Sequence, residues 1–181
     1  IIYKKLVDLL LKIQKIRPKE KLRTITSQLY VINKYSMKHL HQESDLFLNW
    51  YLPMVLNQKK VFSIKLRIKK SLSKLYKKLN FPNTCFVHRD YHVLNLMKVG
   101  RKIGVIDSQD AIIGNPTYDL VSLIDDVRIK TSQKLKNQIY MYYLKKAPRI
   151  YKAKSEKFLE DFNVLSVQRS LKIIGIFSRL F

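Results

Sequence analysis

The chain has 181 residues, enough for one domain with a buried core. It carries 36 Lys and Arg against 13 Asp and Glu, a formal charge of +23, and one cysteine, which excludes an internal disulfide and fits a reducing, cytoplasmic setting. No apolar run approaches the roughly 18 residues of a membrane-spanning helix, so no membrane span is expected.

Residues 2–16 repeat apolar positions at helical spacing (Ile2, Leu6, Leu9, Leu10, Ile13), and Pro18 ends that helix. Leu22, Ile25, Leu29 and Ile32 give 19–35 only a weak pattern. A second helix is expected from Ser36, a suitable cap, to Pro53, with Met37, Leu40, Phe47, Leu48 and Tyr51 on one side. His39, His41, Glu43 and Asp45 within it are read as a solvated surface rather than a metal site, because the pairs 39/43 and 41/45 fall on different faces. Phe62 to Leu79 reads as a long amphipathic helix, apolar at Ile64, Ile68, Leu72, Leu75 and Leu79, with a lysine-rich back. That face is where RNA or an anionic surface would bind if the chain were a non-enzymatic basic helical module. A soluble back to a core helix is the expected reading, and nucleic acid is not the expected partner.

Asn80-Phe81-Pro82-Asn83 is a turn into a short strand, Cys85–Val87, where Cys85 reads as buried packing. His88-Arg89-Asp90 follows, and Asn95 lies five residues beyond Asp90. Leu96–Val99 and Ile103–Ile106 read as two strands turning at Gly100, which brings Asp107 back beside Asn95. The His-Arg-Asp-(four residues)-Asn spacing matches the catalytic loop of kinases, in which a later Asp binds the metal. A hydroxyl attacking a phosphate needs a carboxylate to orient it and accept its proton, and Asp90 fits that role. Mg²⁺ prefers oxygen ligands, which Asn95 and Asp107 supply. Six of the 13 acids (Asp90, Asp107, Asp110, Asp119, Asp125, Asp126) fall in this stretch of a basic chain, as a Mg²⁺ site requires. Gly114-Asn115-Pro116 is read as a turn, with Gly114 free to take an unusual φ. Asp119 opens a helix with Leu120, Leu123, Ile124 and Val127, where a carboxylate favours the dipole. Beyond Lys130 the chain reads as helical: one helix through Leu135, Ile139, Tyr142 and Tyr143, a break near Pro148, then one or two more.

Asp107-Ser108-Gln109-Asp110-Ala111 replaces the Asp-Phe-Gly of protein kinases. With Tyr118-Asp119-Leu120 and the stretch Gln168-Arg169-Ser170-Leu171-Lys172 through Leu180, it resembles the aminoglycoside phosphotransferase and choline kinase superfamily. Within that superfamily it looks most like the bacterial kinases of N-acetylmuramate and N-acetylglucosamine, which act at the anomeric hydroxyl in cell-wall recycling. The resemblance runs from Leu6 to the end, with its specific part at 86–126 and 168–180. Ser108 departs from that group, which has an aromatic there, but no ligand is lost.

The resemblance implies a mainly α fold with a small β-hairpin: residues 1–181 as the C-terminal lobe of a protein-kinase-like fold. The chain is expected to be cut at both ends, with most of the nucleotide-binding residues in a missing N-terminal lobe and the fragment alone inactive. ATP and Mg²⁺ are the implied cofactors and a small molecule the partner. Asp90 is the implied catalytic residue and Asn95 and Asp107 the metal ligands, with His88 and Asp119 supporting the loop. His92, Asp110, Gln168, Arg169 and Lys172 are candidates for substrate or second-metal contact. An aminoglycoside or choline-type kinase shares Asp90, Asn95 and Asp107 and stays open.

Overall fold

The computed structural model describes residues 2–100 and 102–181. It is mainly helical, with three small antiparallel strand pairs. Helix α1 (Ile2–Gln14) is followed by a hairpin of β1 (Lys21–Arg23) and β2 (Leu29–Val31). All six of its residues are exposed, so the weak apolar pattern of 19–35 reflects a surface hairpin with no face to bury.

Helix α2 (Met37–Leu46) starts after Ser36, whose backbone N–H donates to His39 Nδ1 at 3.1 Å. The helix does not stop at Pro53. It passes through one π-helical stretch, Phe47–Tyr51, into α3 (Leu52–Val55). There the Leu52 N–H returns to the Phe47 carbonyl, five residues back, and Pro53 falls at the first positions of the renewed α-helix, where its missing N–H costs nothing. Helix α4 (Gln58–Tyr76) begins earlier than the apolar pattern predicts, because Asn57 Oδ1 caps it by accepting from the Lys59 N–H at 3.1 Å, and it ends sooner, at Tyr76. Only Leu72 and Tyr76 of α4 are buried.

Strand β3 (Cys85–Val87) pairs with β6 (Ile112–Gly114), and β4 (Leu96–Val99) with β5 (Lys102–Val105). Gly114 is therefore a strand residue and not a turn. Its need for glycine is spatial, since a Cβ there would meet Val87 Cγ2 at 2.9 Å. Helices α5 (Tyr118–Ile124), α6 (Gln133–Lys146), α7 (Arg149–Ala153) and α8 (Ser155–Leu180) complete the chain. Pro148 does mark the break between α6 and α7, and two helices follow it, the short α7 and the long α8.

Every residue of α5 is buried. On one side Leu120, Leu123 and Ile124 pack with Leu6, Val7 and Leu10 of α1, Tyr143 of α6 and Phe158 of α8. On the other, Tyr118 and Val121 pack with Leu40, Leu72, Tyr76, Val87 and Leu165. Each fully buried side chain of this kind contributes roughly 1.5–3 kcal/mol. A helix enclosed by two cores is a rigid post, and it is this post that carries Asp119. Among the described residues no helix is long and apolar enough to cross a membrane.

Helix α8 lies against α2 and the π-helical stretch, and Gly175 is the point of closest approach. A Cβ at 175 would overlap the backbone of Leu46 and Phe47. Gly175→Ala is expected to lower stability by about 1–3 kcal/mol, the usual cost of forcing a methyl into a packed contact. The midpoint of urea unfolding checks this, and an unchanged midpoint would contradict the close packing.

Candidate active site

Strand β3 ends at Val87, and the chain then leaves the sheet through a turn that only a strongly held backbone adopts. Arg89 has φ +74°, in the left-handed region. For a residue with a Cβ this costs about 1–3 kcal/mol. The compensation comes from α5 below: the His88 N–H donates to Asp119 Oδ2 at 2.7 Å and the Arg89 N–H donates to Oδ1 at 3.0 Å. Asp119 is fully buried, and burial pushes its carboxyl up to about 7 despite the two N–H donors. The Arg89 carbonyl accepts from Arg169 Nη1 of α8 at 3.0 Å. His88 is buried, and its Nε2 lies 3.0 Å from the Ile106 carbonyl, which ties the turn to the end of the β4–β5 hairpin.

The next residue is Asp90. Its side chain keeps 32% of its exposure, whereas that of Arg169, 3.8 Å away, keeps 4%. The Asp90 carbonyl accepts from the His92 N–H at 2.9 Å and from Asn95 Nδ2 at 3.0 Å. One short loop is thus closed on itself, with the Asp90 carboxylate facing out.

The hairpin register Leu96↔Val105 and the Ile106 N–H bond to the Asn95 carbonyl (3.1 Å) return the chain beside Asn95. Asp107 Oδ2 then lies 3.5 Å from Asn95 Nδ2. Asp107 is the second charged residue with a left-handed backbone here, at φ +69°. The Asn95 amide nitrogen donates to the Asp90 carbonyl and faces Asp107 Oδ2, which leaves Oδ1 as the Asn95 atom that would meet a cation. The Asp107 carboxylate and the Asn95 amide oxygen, on neighbouring residues at a partly open surface, are hard oxygen donors of the kind that suits Mg²⁺ completed by waters and phosphate oxygens. Among the described residues no three His, Cys, Asp or Glu gather to hold a metal, so an all-protein metal cage is not the arrangement.

The remaining candidates divide. Arg169 lies at the loop. Gln168 does not: it is fully buried and its Nε2 donates to Glu43 Oε2 at 2.7 Å, a correction to its candidacy for substrate or second-metal contact. His92 is also buried, its pKa lowered by burial and by the Arg128 and Arg169 charges, and it joins the loop through its backbone N–H. Asp110 is exposed and meets the site through its backbone carbonyl, which accepts from Arg89 Nη1 at 3.4 Å. Cys85 is buried and its thiol is raised by burial, the state of a packing residue.

Glu43 overturns the solvated reading of α2. It is buried, accepts hydrogen bonds from four side chains and pairs with the Lys172 ammonium. Tyr35 (2.5 Å), Gln168 (2.7 Å) and Tyr118 (3.2 Å) reach Oε2, while Arg89 and Lys172 (3.4 Å) reach Oε1. Burial alone would raise its pKa, but Lys172, Arg89 and the Tyr35 hydroxyl hold it down at about 2. The spacing held a signal for this: Leu40, Glu43, Ser44, Phe47 and Leu48 fall on one helical stripe, so Glu43 sits in line with the buried face.

The family model for the phosphotransferase enzyme family matches residues 2–153. The chain belongs to this family. Among curated proteins it is 32% identical over 158 residues to one from Neisseria meningitidis serogroup B named N-acetylmuramate/N-acetylglucosamine kinase. That match covers 83% of this chain and 46% of the relative. A protein of the same name from Pseudomonas aeruginosa is 33% identical over 153 residues, covering 83% of this chain and 45% of the relative. The chain therefore spans about half the length of the curated relatives it matches, and its mainly helical fold with small antiparallel strand pairs is that of a kinase-like lobe.

Asp119→Asn places an N–H₂ where one of the two backbone donors now binds, leaving a buried N–H without an acceptor. The expected cost is about 1–3 kcal/mol in denaturant unfolding. The Glu43 carboxylate sets a pH window. Because its pKa is depressed, the stability it contributes is complete above the ordinary glutamate range and is lost as pH falls towards about 2. The stability gap between wild type and Glu43→Gln should be widest near neutral pH and close in acid, as read by urea titrations at several pH values.

Proposed function

We propose that the complete protein is an ATP- and Mg²⁺-dependent kinase that phosphorylates a hydroxyl of an amino sugar of the N-acetylmuramate and N-acetylglucosamine class. The observation that carries this reading is the juxtaposition of a clamped, outward-facing Asp90 with the Asn95–Asp107 pair. Asp90 aligns the acceptor hydroxyl for attack and takes its proton as the new P–O bond forms and the bond from the γ-phosphorus to the departing ADP oxygen breaks. Asn95 and Asp107 are the residues that would hold Mg²⁺, and the ion's contribution when bound is to neutralise charge on the phosphates. His88 and Asp119 keep Asp90 at the height the transfer needs. The acceptor class rests on the names of the two relatives, and the place of action that goes with it is the cytoplasm, in cell-wall recycling.

The test uses the full-length protein with ATP and Mg²⁺ and four acceptors: N-acetylmuramate, N-acetylglucosamine, choline and kanamycin. Transfer to the amino sugars is expected, with a loss of about 10²–10⁴-fold in kcat for Asp90→Ala, the range for removing a positioned general base. Transfer confined to choline or kanamycin would replace the acceptor. Undiminished turnover in Asp90→Ala would overturn the mechanism.

A further inference from the structure

Four separate bonds converge on Arg89. Its N–H is held by Asp119 and its carbonyl by Arg169. Its guanidinium spans two elements, with Nη2 on Glu43 of α2 and Nη1 on the carbonyl of Asp110. Arg89 is adjacent to Asp90, and Asp110 lies three residues after Asp107, in the same short loop. The guanidinium thus connects the loop that carries the proton acceptor to the loop that carries the cation-facing carboxylate. What aims the guanidinium is Glu43, whose own position is set by Tyr35, Tyr118 and Gln168. Burial raises the pKa of both phenols, so both hydroxyls stay protonated and donate. Lys172 leans on the same carboxylate and lies in the field of Asp90.

We propose that Glu43 is a positioning residue for phosphoryl transfer, acting through Arg89 to hold the Asp90 turn and the Asp107–Asp110 loop in one fixed relation. The inference rests on the kinase reading above. Glu43 is buried and reaches the Asp90 turn through Arg89. Its effect is to fix the distance between the group that takes the proton and the group that faces the cation. Arg89 is correspondingly a bracket inside the protein, and its guanidinium is not an open anion site. Without Glu43 the guanidinium loses its buried counter-charge and turns towards water, releasing the Asp110 carbonyl and letting the two loops move independently.

A purely structural role must be separated from this one. Asp161 supplies the control. It is also a fully buried carboxylate, on α8, and it organises the turn at Asn80 and Phe81 by accepting from their N–H groups at 2.7 and 2.9 Å. It has no bond to either site loop. In the full-length protein, Glu43→Gln and Asp161→Asn are compared at a temperature well below both unfolding midpoints. Two readouts are taken: kcat at saturating substrates, and Mn²⁺ affinity in the presence of ATP by water-proton relaxation. Glu43→Gln is expected to lower kcat and weaken Mn²⁺ binding by about 10-fold each, the lower end for residues that orient ligating groups, while Asp161→Asn changes only the melting temperature. If Glu43→Gln matches Asp161→Asn in both readouts, Glu43 is structural and the proposal falls. If wild type transfers phosphate to no acceptor, the kinase reading fails separately, and the Mn²⁺ measurement still decides whether Glu43 governs the site.

Discussion

The left-handed backbone at Arg89 is the constraint on which the rest depends. A side-chain-bearing residue does not stay there unaided, and the cost of about 1–3 kcal/mol must be offset locally. Asp119 does so by accepting both the His88 and the Arg89 N–H. It can do so because it stands on α5, a helix with no exposed residue, enclosed by two cores. The order of causes runs from apolar periodicity, to a buried helix, to a carboxylate that cannot move, to a turn that cannot relax. Asp90 is presented at the end of that sequence, and its direction is inherited from each earlier step.

Burial of so much charge around the turn is tolerated because the charges compensate one another. Glu43 faces Arg89 and Lys172, and Arg169 faces the Arg89 carbonyl and Asp90. Breaking such a pair is far more costly than replacing it whole, since one uncompensated charge remains inside. The strongly basic surface has no such role. Lys69 meets Asp45 at 2.8 Å and is nearly half exposed, the kind of pair that contributes little. The net charge of +23 and the paired interior belong to different parts of the molecule.

Much of this was legible in the sequence. The spacing of Asp90, Asn95 and Asp107 implied a hairpin that folds back, and the register of β4 and β5 has that form. Apolar periodicity located α1, α4 and α6, although their ends followed caps that periodicity does not encode, such as Asn57. Pro53 was misleading because a π-helical stretch upstream shifts the hydrogen-bond frame, so the proline lands where a helix accepts it. Gly114 was misleading because glycine is needed there for room beside Val87, not for its φ. The solvated reading of Glu43 follows from asking whether His39, Glu43, His41 and Asp45 could share a metal, a question that does not test its place on the Leu40–Leu48 stripe. Gln168 is a candidate for substrate contact from sequence alone because a buried polar side chain is recognised only by partners distant in sequence, here 125 residues away.

The most direct measurement of this account is amide hydrogen exchange at His88 and Arg89 in the full-length protein at neutral pH. Both amides follow the end of a strand, in a loop, where an unclamped N–H would exchange rapidly. If the Asp119 clamp holds as described, both will exchange only through global unfolding, as slowly as amides in the core of α5. Exchange at the rate of an open surface loop would contradict the account, because Asp90 would then have no fixed direction to inherit.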